Sequence, residues 1–582
     1  METWLKEKIG NPELFTGRRK ELRYFLNWAD RIRQESSQST ALLSRRKTGK
    51  TALLQRLYNL TFQQNDMVIP FYYEMTESDQ WLLDFAREYL LTFIYQYIAF
   101  KTRKQEYFHY SKANYGRALK AMKKEKLDYL SHLVEDAELA YREENPSSLW
   151  EIARDLPRVA AAHTDERVLQ LIDEFQFLNR FIFRDKSCKD RISNLAGSYL
   201  HTCEYKNAPM LVAGSWVGWL ARDLHRMLPG RFQFDYFENM PEDEAVEVIL
   251  KYSHLEDIPV TEEMVPLIAG LTEGNPFYIG SLLRSKYPGK DFTKEKGVLE
   301  TLEFETLNNE GGIKGTWMEY LGYALREIND VNAKKIVLYL CKHREREVTR
   351  TELLEKLNLG MDDSKLEAKL KILIKSDIIE QGSSNLDYRG VRDNIFDKVF
   401  RGVYQKEIEA FNPKDITEEY KKLSEKLMKN NKRLRGEYGR YKGAYAEFLI
   451  IHHLRHDVLR DKDRFLPSVR NLPDDFEFTA YENVWSYHSP PLHEPEFQLD
   501  ILARAGRDAY SLIWEVKNRK AKFSVRDAEA FVRKAESLMQ LENIAKAVLI
   551  VFSVSGFFQN TAEYLEKHGI AWTDDRQWIQ RC

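Results

Sequence analysis

The sequence predicts a multidomain α/β protein, and three observations carry that expectation. The apolar run Thr40–Leu43 leads through Ser44-Arg45-Arg46-Lys47-Thr48 to Gly49-Lys50-Thr51, and an amphipathic segment, Ala52 to Leu60, follows at once. A second mostly apolar run, Arg167 to Ile172, ends in the carboxylates Asp173 and Glu174. Far downstream, Phe497–Ala503 and Asp508–Lys517 flank the turn Arg504-Ala505-Gly506-Arg507 and read as a β-hairpin. Strands buried on both faces of a parallel sheet read as near-continuous apolar runs, which fits the first two segments.

Taken in order, the elements begin with a helix after Phe15-Thr16-Gly17-Arg18 whose apolar positions are Leu22, Phe25 and Leu26. The strand 40–43 and the glycine-bearing turn come next, then a second strand at Met67–Tyr73. A long helical insertion is expected at about 78–162, ahead of the 167–174 strand. Pro209–Ser215 reads as a further strand ending in small residues, which completes a three-layer α/β domain. The pattern from about 235 to 290 is helical and includes Gly274-Asn275-Pro276. Three short helices (333–341, 351–357 and 364–375), then Ile378-Ile379-Glu380 and a Gly-Ser-Ser-Asn turn, predict a winged helix. The domain boundaries that follow are 1–234, 235–330 and 331–412, a basic linker helix at 413–435, and a second α/β domain at 436–582.

The chain has 582 residues, 43% apolar and 31% charged, with a formal net charge of −2. Such a near-neutral total argues against a surface coated in nucleic acid but leaves room for local basic patches. There is no run of eighteen apolar residues, Met1-Glu2-Thr3-Trp4 reads as no secretory leader, and no membrane partner is expected. Cys188, Cys203, Cys341 and Cys582 have neither metal nor disulfide spacing, which points to a reducing cytoplasm.

A strand, a glycine-bearing turn and a helix start in that order aim free backbone N–H groups at a phosphate, aided by the positive end of the helix. Lys50 is then placed for the β- and γ-phosphates and the Thr51 hydroxyl for Mg²⁺. Asp173 would hold the same ion through water, and Glu174 would polarise the attacking water. Ser44 stands where the phosphate-binding loop expects its first glycine, which reduces backbone freedom there and predicts slow turnover with robust nucleotide binding.

Together, Phe15-Thr16-Gly17-Arg18, the Lys47-Thr48-Gly49-Lys50-Thr51 loop, Leu171-Ile172-Asp173-Glu174 and Gly274-Asn275-Pro276 resemble the archaeal-type ATPases of the STAND/AAA+ P-loop superclass, over roughly residues 10–400. The resemblance implies a P-loop NTPase domain, a helical lid and a winged helix, with ATP and Mg²⁺ as cofactors. It also implies that Ser215 senses the γ-phosphate, that Arg231 of Gly230-Arg231 is the arginine placed on developing phosphate charge, and that Pro276 contacts the nucleotide. An arginine acting between subunits would require a homo-oligomer.

In the C-terminal segment, Glu515 and Lys517 lie two apart on one strand and share a face, which the hairpin turns toward Asp500. Two carboxylates and an ammonium on one face suit hard cations, Mg²⁺ or Mn²⁺, and the activation of a water against a phosphodiester. Asp500, Glu515 and Lys517 in this spacing, with a helix at 441–453, a helix at 526–539 and a strand at 547–552, resemble the PD-(D/E)XK, restriction endonuclease-like nucleases. That resemblance implies Glu447 as a further metal ligand. Leu499 stands where the family places proline before the aspartate.

Two basic regions bear on nucleic acid. Lys421 to Lys442 carries nine positive charges against Glu425 and Glu437 and could neutralise duplex phosphates. Lys101 to Lys126 interleaves cations with Tyr107, Phe108, Tyr110 and Tyr115, as for stacking on unpaired bases, although the acidic stretch Glu135–Glu144 offers intramolecular partners instead. The helix 364–375 of the winged module is equally suited to a major groove or to packing on the ATPase domain. The preferred expectation is an ATP-regulated, metal-dependent nuclease acting on duplex or branched DNA. A nucleotide-driven assembly switch whose nuclease-like domain only binds, and a winged-helix DNA-binding regulator, fit the same motifs.

Overall fold

The computed structural model describes residues 4–108, 114–214, 217–324, 331–391, 393–408, 413–490 and 495–580, without the side chains of 217–219, 222, 323–324, 406–407 and 413–416. The chain forms two compact units, Met1–Leu427 and Met428–Cys582.

In the first unit the four predicted strands form as β1 (Thr40–Leu43), β2 (Val68–Glu74), β3 (Arg167–Asp173) and β4 (Met210–Gly214), and a fifth, β5 (Gln233–Tyr236), reaches into the stretch expected to be helical from about 235. They pair in the order β2-β3-β4-β1-β5, every neighbour parallel. Parallel neighbours require crossovers, and helices supply them. These include α1 (Arg19–Asp30) ahead of the sheet, α2 (Lys50–Gln64) after β1, and the insertion whose long members are α3 (Leu82–Thr102) and α4 (Pro146–Thr164). Val168, Leu169, Leu171, Ile172 and Met210 to Ala213 are fully buried, as a sheet covered on both faces demands. Helix α3 is apolar almost all round because it lies between β2 and α4, and Tyr89 and Phe93 set their rings edge-on against Phe71.

Helix α5 (Val217–Met227) packs on β1 and precedes β5, and the lid region beyond it contains α6 (Glu242–Leu255), α7 (Met264–Leu271) and α8 (Pro276–Leu283), with α7 and α8 both packed on α6. The turn into α8 is sterically specified. Gly274 has φ +69°, and a Cβ there would lie 2.1 Å from the Met240 carbonyl oxygen. Asn275 then caps the helix, its Oδ1 accepting from the N–H groups of Phe277 (2.9 Å) and Tyr278 (3.3 Å).

The winged module comprises α9 (Val331–Lys342), β6 (Val348–Thr349), α10 (Arg350–Leu357), α11 (Asp363–Lys375), β7 (Ile379–Gln381) and β8 (Asp387–Gly390). Its small antiparallel sheet runs β6-β8-β7. Helix α11 packs against α5, so the helix equally suited to a groove is a contact within the first unit.

The second unit holds the five-stranded sheet β9 (Asn483–His488), β10 (Gln498–Arg504), β11 (Ser511–Lys517), β12 (Ala547–Ser553) and β13 (Ala571–Thr573), in that spatial order. The first three strands are antiparallel and the last three parallel. Ile450, Leu454, Trp514 and Trp578 fill one face, while Leu502, Ile513, Phe531 and Leu538 fill the other.

Helix α12 (Pro413–His456) merges the basic linker helix expected at 413–435 with the helix expected at 441–453. Gly436, Gly439 and Gly443 weaken the helix between them, but no proline interrupts it, and glycine alone lowers propensity without blocking a backbone bond. Helix α13 (Val525–Leu541) begins with a capping box between Ser524 and Asp527. No helix among the described residues is long and apolar enough to cross a membrane.

Candidate functional site

The turn between β1 and α2 is built to present backbone. Gly49 takes φ +100°, a region closed to side chains, and Lys47 takes the left-handed φ of +64°. Ser44 has no positive φ, so the position where a glycine was expected does not need one. Its hydroxyl instead joins the loop's internal bonding, with Thr48 Oγ1 and as an acceptor for Lys50 Nζ at 2.9 Å. The predicted loss of backbone freedom at Ser44 therefore carries no strain here.

Lys50 is buried, and its Nζ also donates to the carbonyls of Ser44 (2.9 Å) and Arg45 (2.8 Å). Burial pushes this ammonium down to about 8, against the opposing pull of the Glu174 and Asp173 carboxylates. Next along α2, Thr51 Oγ1 donates to Asp173 Oδ2 at 2.6 Å. Burial, and then Glu174, raise the Asp173 carboxyl to about 7. Glu174 closes β3 in a left-handed conformation, φ +52°, with its N–H bonded to Asp173 Oδ1 at 3.0 Å. The hydroxyl–carboxylate pair is an all-oxygen donor set that fits Mg²⁺, an ion that takes one or two protein ligands and keeps water or phosphate in its other positions.

A cavity of about 650 Å³ opens over the loop. Lys47, Lys50 and Thr51 line one part of it, and Phe15, Val248, Tyr252 and Phe277 supply an apolar part. Pro276 lines it too, with its Cγ 3.8 Å from where a Cβ on Gly49 would lie. The lid thus brings Pro276 to the loop as expected. Arg18, quoted in the sequence only as part of a motif, is a buried element of the site. It donates to the Thr48 carbonyl at 3.0 Å, and its guanidinium lies 3.9 Å from the Phe237 ring centre. Val248 and Tyr252 were not singled out by sequence, because only the packing of α6 over the loop turns that face toward the cavity.

Arg231 is not brought to this site. It lies two residues before Gln233, which pairs with Thr40 at the start of β1, whereas the loop follows the other end of that strand. There it pairs with Glu204 at 3.1 Å and donates to the Pro229 carbonyl. A Gly-Arg pair is too short a signal to tell which end of a sheet it occupies. Ser215 lies outside the described residues.

The second unit assembles a separate carboxylate cluster. The β10–β11 register pairs Ile501 with Trp514, the residues next to Asp500 and Glu515 on their strands. A register shift against β9 lets Asp500 and Ile501 together face Ser486, so Asp500 sits in a β-bulge, a distortion that re-aims a side chain. Asp500 Oδ2 accepts from the Val516 N–H at 2.6 Å and lies 3.8 Å from Lys517 Nζ. Lys517 is also hydrogen-bonded to Glu515. Burial pulls the Lys517 ammonium down, but Glu515 and Asp500 outweigh it and leave its pKa raised. Burial, with Asp500 second, raises Glu515 and lifts Glu447 to about 7. Glu447 of α12 therefore stands in the field of the hairpin's charges, as the resemblance implied. The oxygens of Glu447, Asp500 and Glu515 do not all fall within 4.8 Å of one another, and Lys517 is paired among them.

Among the described residues, His452, His453 and Asp457 do meet that spacing. Both His453 nitrogens are engaged, Nδ1 with Asp457 (2.7 Å) and Nε2 with the Gln580 carbonyl (3.0 Å), which makes His453 a buried fastening.

Among the described residues, the Lys101–Lys126 region offers no stacking surface. Tyr107 and Tyr115 are buried, Phe108 packs against Tyr58 and Phe62, and Tyr110 lies outside the described residues. Lys104 pairs with Glu125 and Lys101 with Glu166, rather than with the acidic stretch 135–144.

Fold and site together define an α/β protein with a glycine-bearing, lysine-centred loop at the carboxyl edge of a parallel sheet. No family profile and no curated protein matches the sequence. Solved structures do share part of its trace. The Walker-type ATPase PABY2304 of Pyrococcus abyssi aligns at 17% identity over 66% of this chain and 96% of its own, with a TM-score of 0.43. The ADP form of the Aeropyrum pernix ORC2 protein aligns at 12% identity over 68% and 96%, TM-score 0.38. The Aeropyrum pernix ORC1 protein in complex with DNA aligns at 13% identity over 70% and 97%, TM-score 0.32.

Proposed function

We propose that the first unit binds and hydrolyses MgATP and that the second unit cleaves DNA phosphodiester bonds under its control. The observation that carries the ATP reading is the Thr51–Asp173 hydrogen bond beside a buried, loop-bound Lys50. In this reading Lys50 exchanges its Ser44 and Arg45 acceptors for phosphate oxygens. The N–H groups at the start of α2 receive the phosphates, Glu174 orients the attacking water, and Phe15, Tyr252 and Phe277 enclose the base. Mg²⁺ would supply neutralisation of phosphate charge next to Thr51 and Asp173.

In the second unit Glu447, Asp500 and Glu515 would hold Mg²⁺ or Mn²⁺, which would polarise the scissile phosphate, while Lys517 orients water or stabilises developing charge. Their convergence from one helix and two strands, with two carboxyls raised by burial and mutual repulsion, supports this reading. A second reading, a unit that binds DNA without cutting it, is favoured by the ion pairs that Lys517 makes with Asp500 and Glu515. Incubating linear, circular and branched DNA with the protein across Mg²⁺, Mn²⁺ and ATP separates them. Cleavage lost in Asp500→Ala and Lys517→Ala, with ATP turnover intact, supports the nuclease. Binding without cleavage under every condition supports the second reading.

A further inference from the structure

Helix α12 leaves one face of the second unit bare. Leu434, Tyr438, Tyr441, Tyr445 and Phe448 recur at alternating four- and three-residue steps, which aligns them on one side of an α-helix. Such a stripe normally meets a core. Here the core contacts fall on the opposite side, through Ala446 and Ile450, and the stripe faces outward. Tyr438 is 71% exposed, Tyr441 81%, Tyr445 50% and Phe448 54%. The Tyr445 and Phe448 rings lie nearly parallel, with centroids 6.4 Å apart and planes at 20°.

The charges beside this stripe decide what covers it. At about 100° per residue, Arg433 and Arg440 fall along one border of the stripe and Arg435 and Lys442 along the other. Glu437 lies on the first border, 2.9 Å from Arg433. A second copy of the chain laid stripe to stripe would face these cations with their own likeness, which penalises self-pairing. An intact duplex offers phosphates but keeps its base faces stacked on one another. A polyanion with free base faces satisfies both the rings and the cations. From Tyr438 to Phe448 the ladder rises about 15 Å, and Glu447 points about 100° round the helix from Phe448.

We propose that this face of α12 is a stacking track for single-stranded DNA. The choice of DNA rests on the function proposed above. The test measures fluorescence anisotropy of labelled oligo(dT), blunt duplex and oligo(U) with the full chain in EDTA, where no cleavage occurs. Tyr441→Ala/Tyr445→Ala is expected to weaken oligo(dT) binding by about tenfold or more, while Tyr441→Phe/Tyr445→Phe stays within about twofold and duplex binding changes by less than about twofold. Both rings are exposed, and an unchanged far-ultraviolet circular dichroism spectrum verifies folding. Unchanged oligo(dT) affinity in the alanine variant, an equal loss on duplex, tighter binding of oligo(U), or no binding of oligo(dT) by the parent protein overturns the track. So does a parent dimer that Tyr441→Ala splits into monomers. Because cleavage is not read, a chain that binds oligo(dT) as expected but cuts nothing overturns the nuclease reading alone.

Discussion

Thr51 Oγ1 donates a 2.6 Å hydrogen bond to Asp173 Oδ2, which joins two oxygens 122 residues apart in the sequence. Thr51→Val removes the hydroxyl and keeps the shape. Isothermal titration should show the Mg²⁺-dependent tightening of ATP binding reduced by about tenfold, with binding in EDTA nearly unchanged. Lys50→Ala should abolish binding under both conditions, and a Lys50→Ala protein that still binds ATP tightly removes the loop from the site.

Glu174 ends β3 beside the cavity that Lys50 and Thr51 also line. Glu174→Gln should keep nucleotide affinity within about threefold while lowering steady-state phosphate release by about a hundredfold, the loss typical of a removed catalytic base. Equal losses in affinity and turnover would assign Glu174 to binding alone.

Glu447 is raised to about 7 by burial and by Asp500, so at pH 8 its charge is held against its surroundings. In EDTA at pH 8, Glu447→Gln should raise the thermal midpoint of the second unit's unfolding. The same variant should lose the further rise that Mn²⁺ gives the parent protein, because a bound cation stabilises by mass action. Calorimetry reads both effects.

Glu273 lies near Asp393, which also accepts from the Tyr278 hydroxyl at 2.8 Å and lies 3.7 Å from Arg45 of the loop. Burial, then Asp393, raises the Glu273 carboxyl from 4.5 to about 7. The folded state therefore holds this proton more tightly than the unfolded chain. The resulting stabilisation is complete below the unfolded pKa and disappears as pH rises through about 7. The parent protein should lose stability relative to Glu273→Gln between pH 5 and pH 8. A pH-independent difference between the two denaturation midpoints would refute the shift.

Asp393 is buried, and Asp393→Asn weakens its ion pair with Arg45 while leaving Tyr278 a neutral acceptor. Urea unfolding should show a loss of about 1–3 kcal/mol, the usual cost of disturbing a buried charged hydrogen bond. A smaller loss at high salt than at low salt would identify the Arg45 component.

The local features were legible because their causes are local. The run Thr40–Leu43 is apolar for the same reason that it is buried, and Gly49-Lys50-Thr51 marks a turn into a helix within a few residues. The 497–517 hairpin likewise announces itself by two strand-like segments and a turn. Asp500, Glu515, Lys517 and Glu447 were named from spacing and resemblance, and all four stand in one electrostatic neighbourhood. Arg231 falls at the opposite end of β1 from the chain's own loop, because a two-residue motif contains no information about the end of the sheet on which it falls. Tyr107 and Tyr115 were read as surface rings because cations surround them in sequence, yet folding turns them inward.

From the order of residues alone followed β1 to β4, the glycine-bearing turn, the winged module's elements and the chemistry the side chains make available. Tertiary structure decided which of those side chains meet. It set Thr51 against Asp173, put a β-bulge at Asp500, laid α11 on α5 and left Tyr438, Tyr441, Tyr445 and Phe448 facing outward. Periodicity and turn chemistry act over a few residues and can be read along the chain. Burial and pairing depend on partners brought from far away, so the same aromatic stripe reads alike in sequence whether a core or solvent covers it.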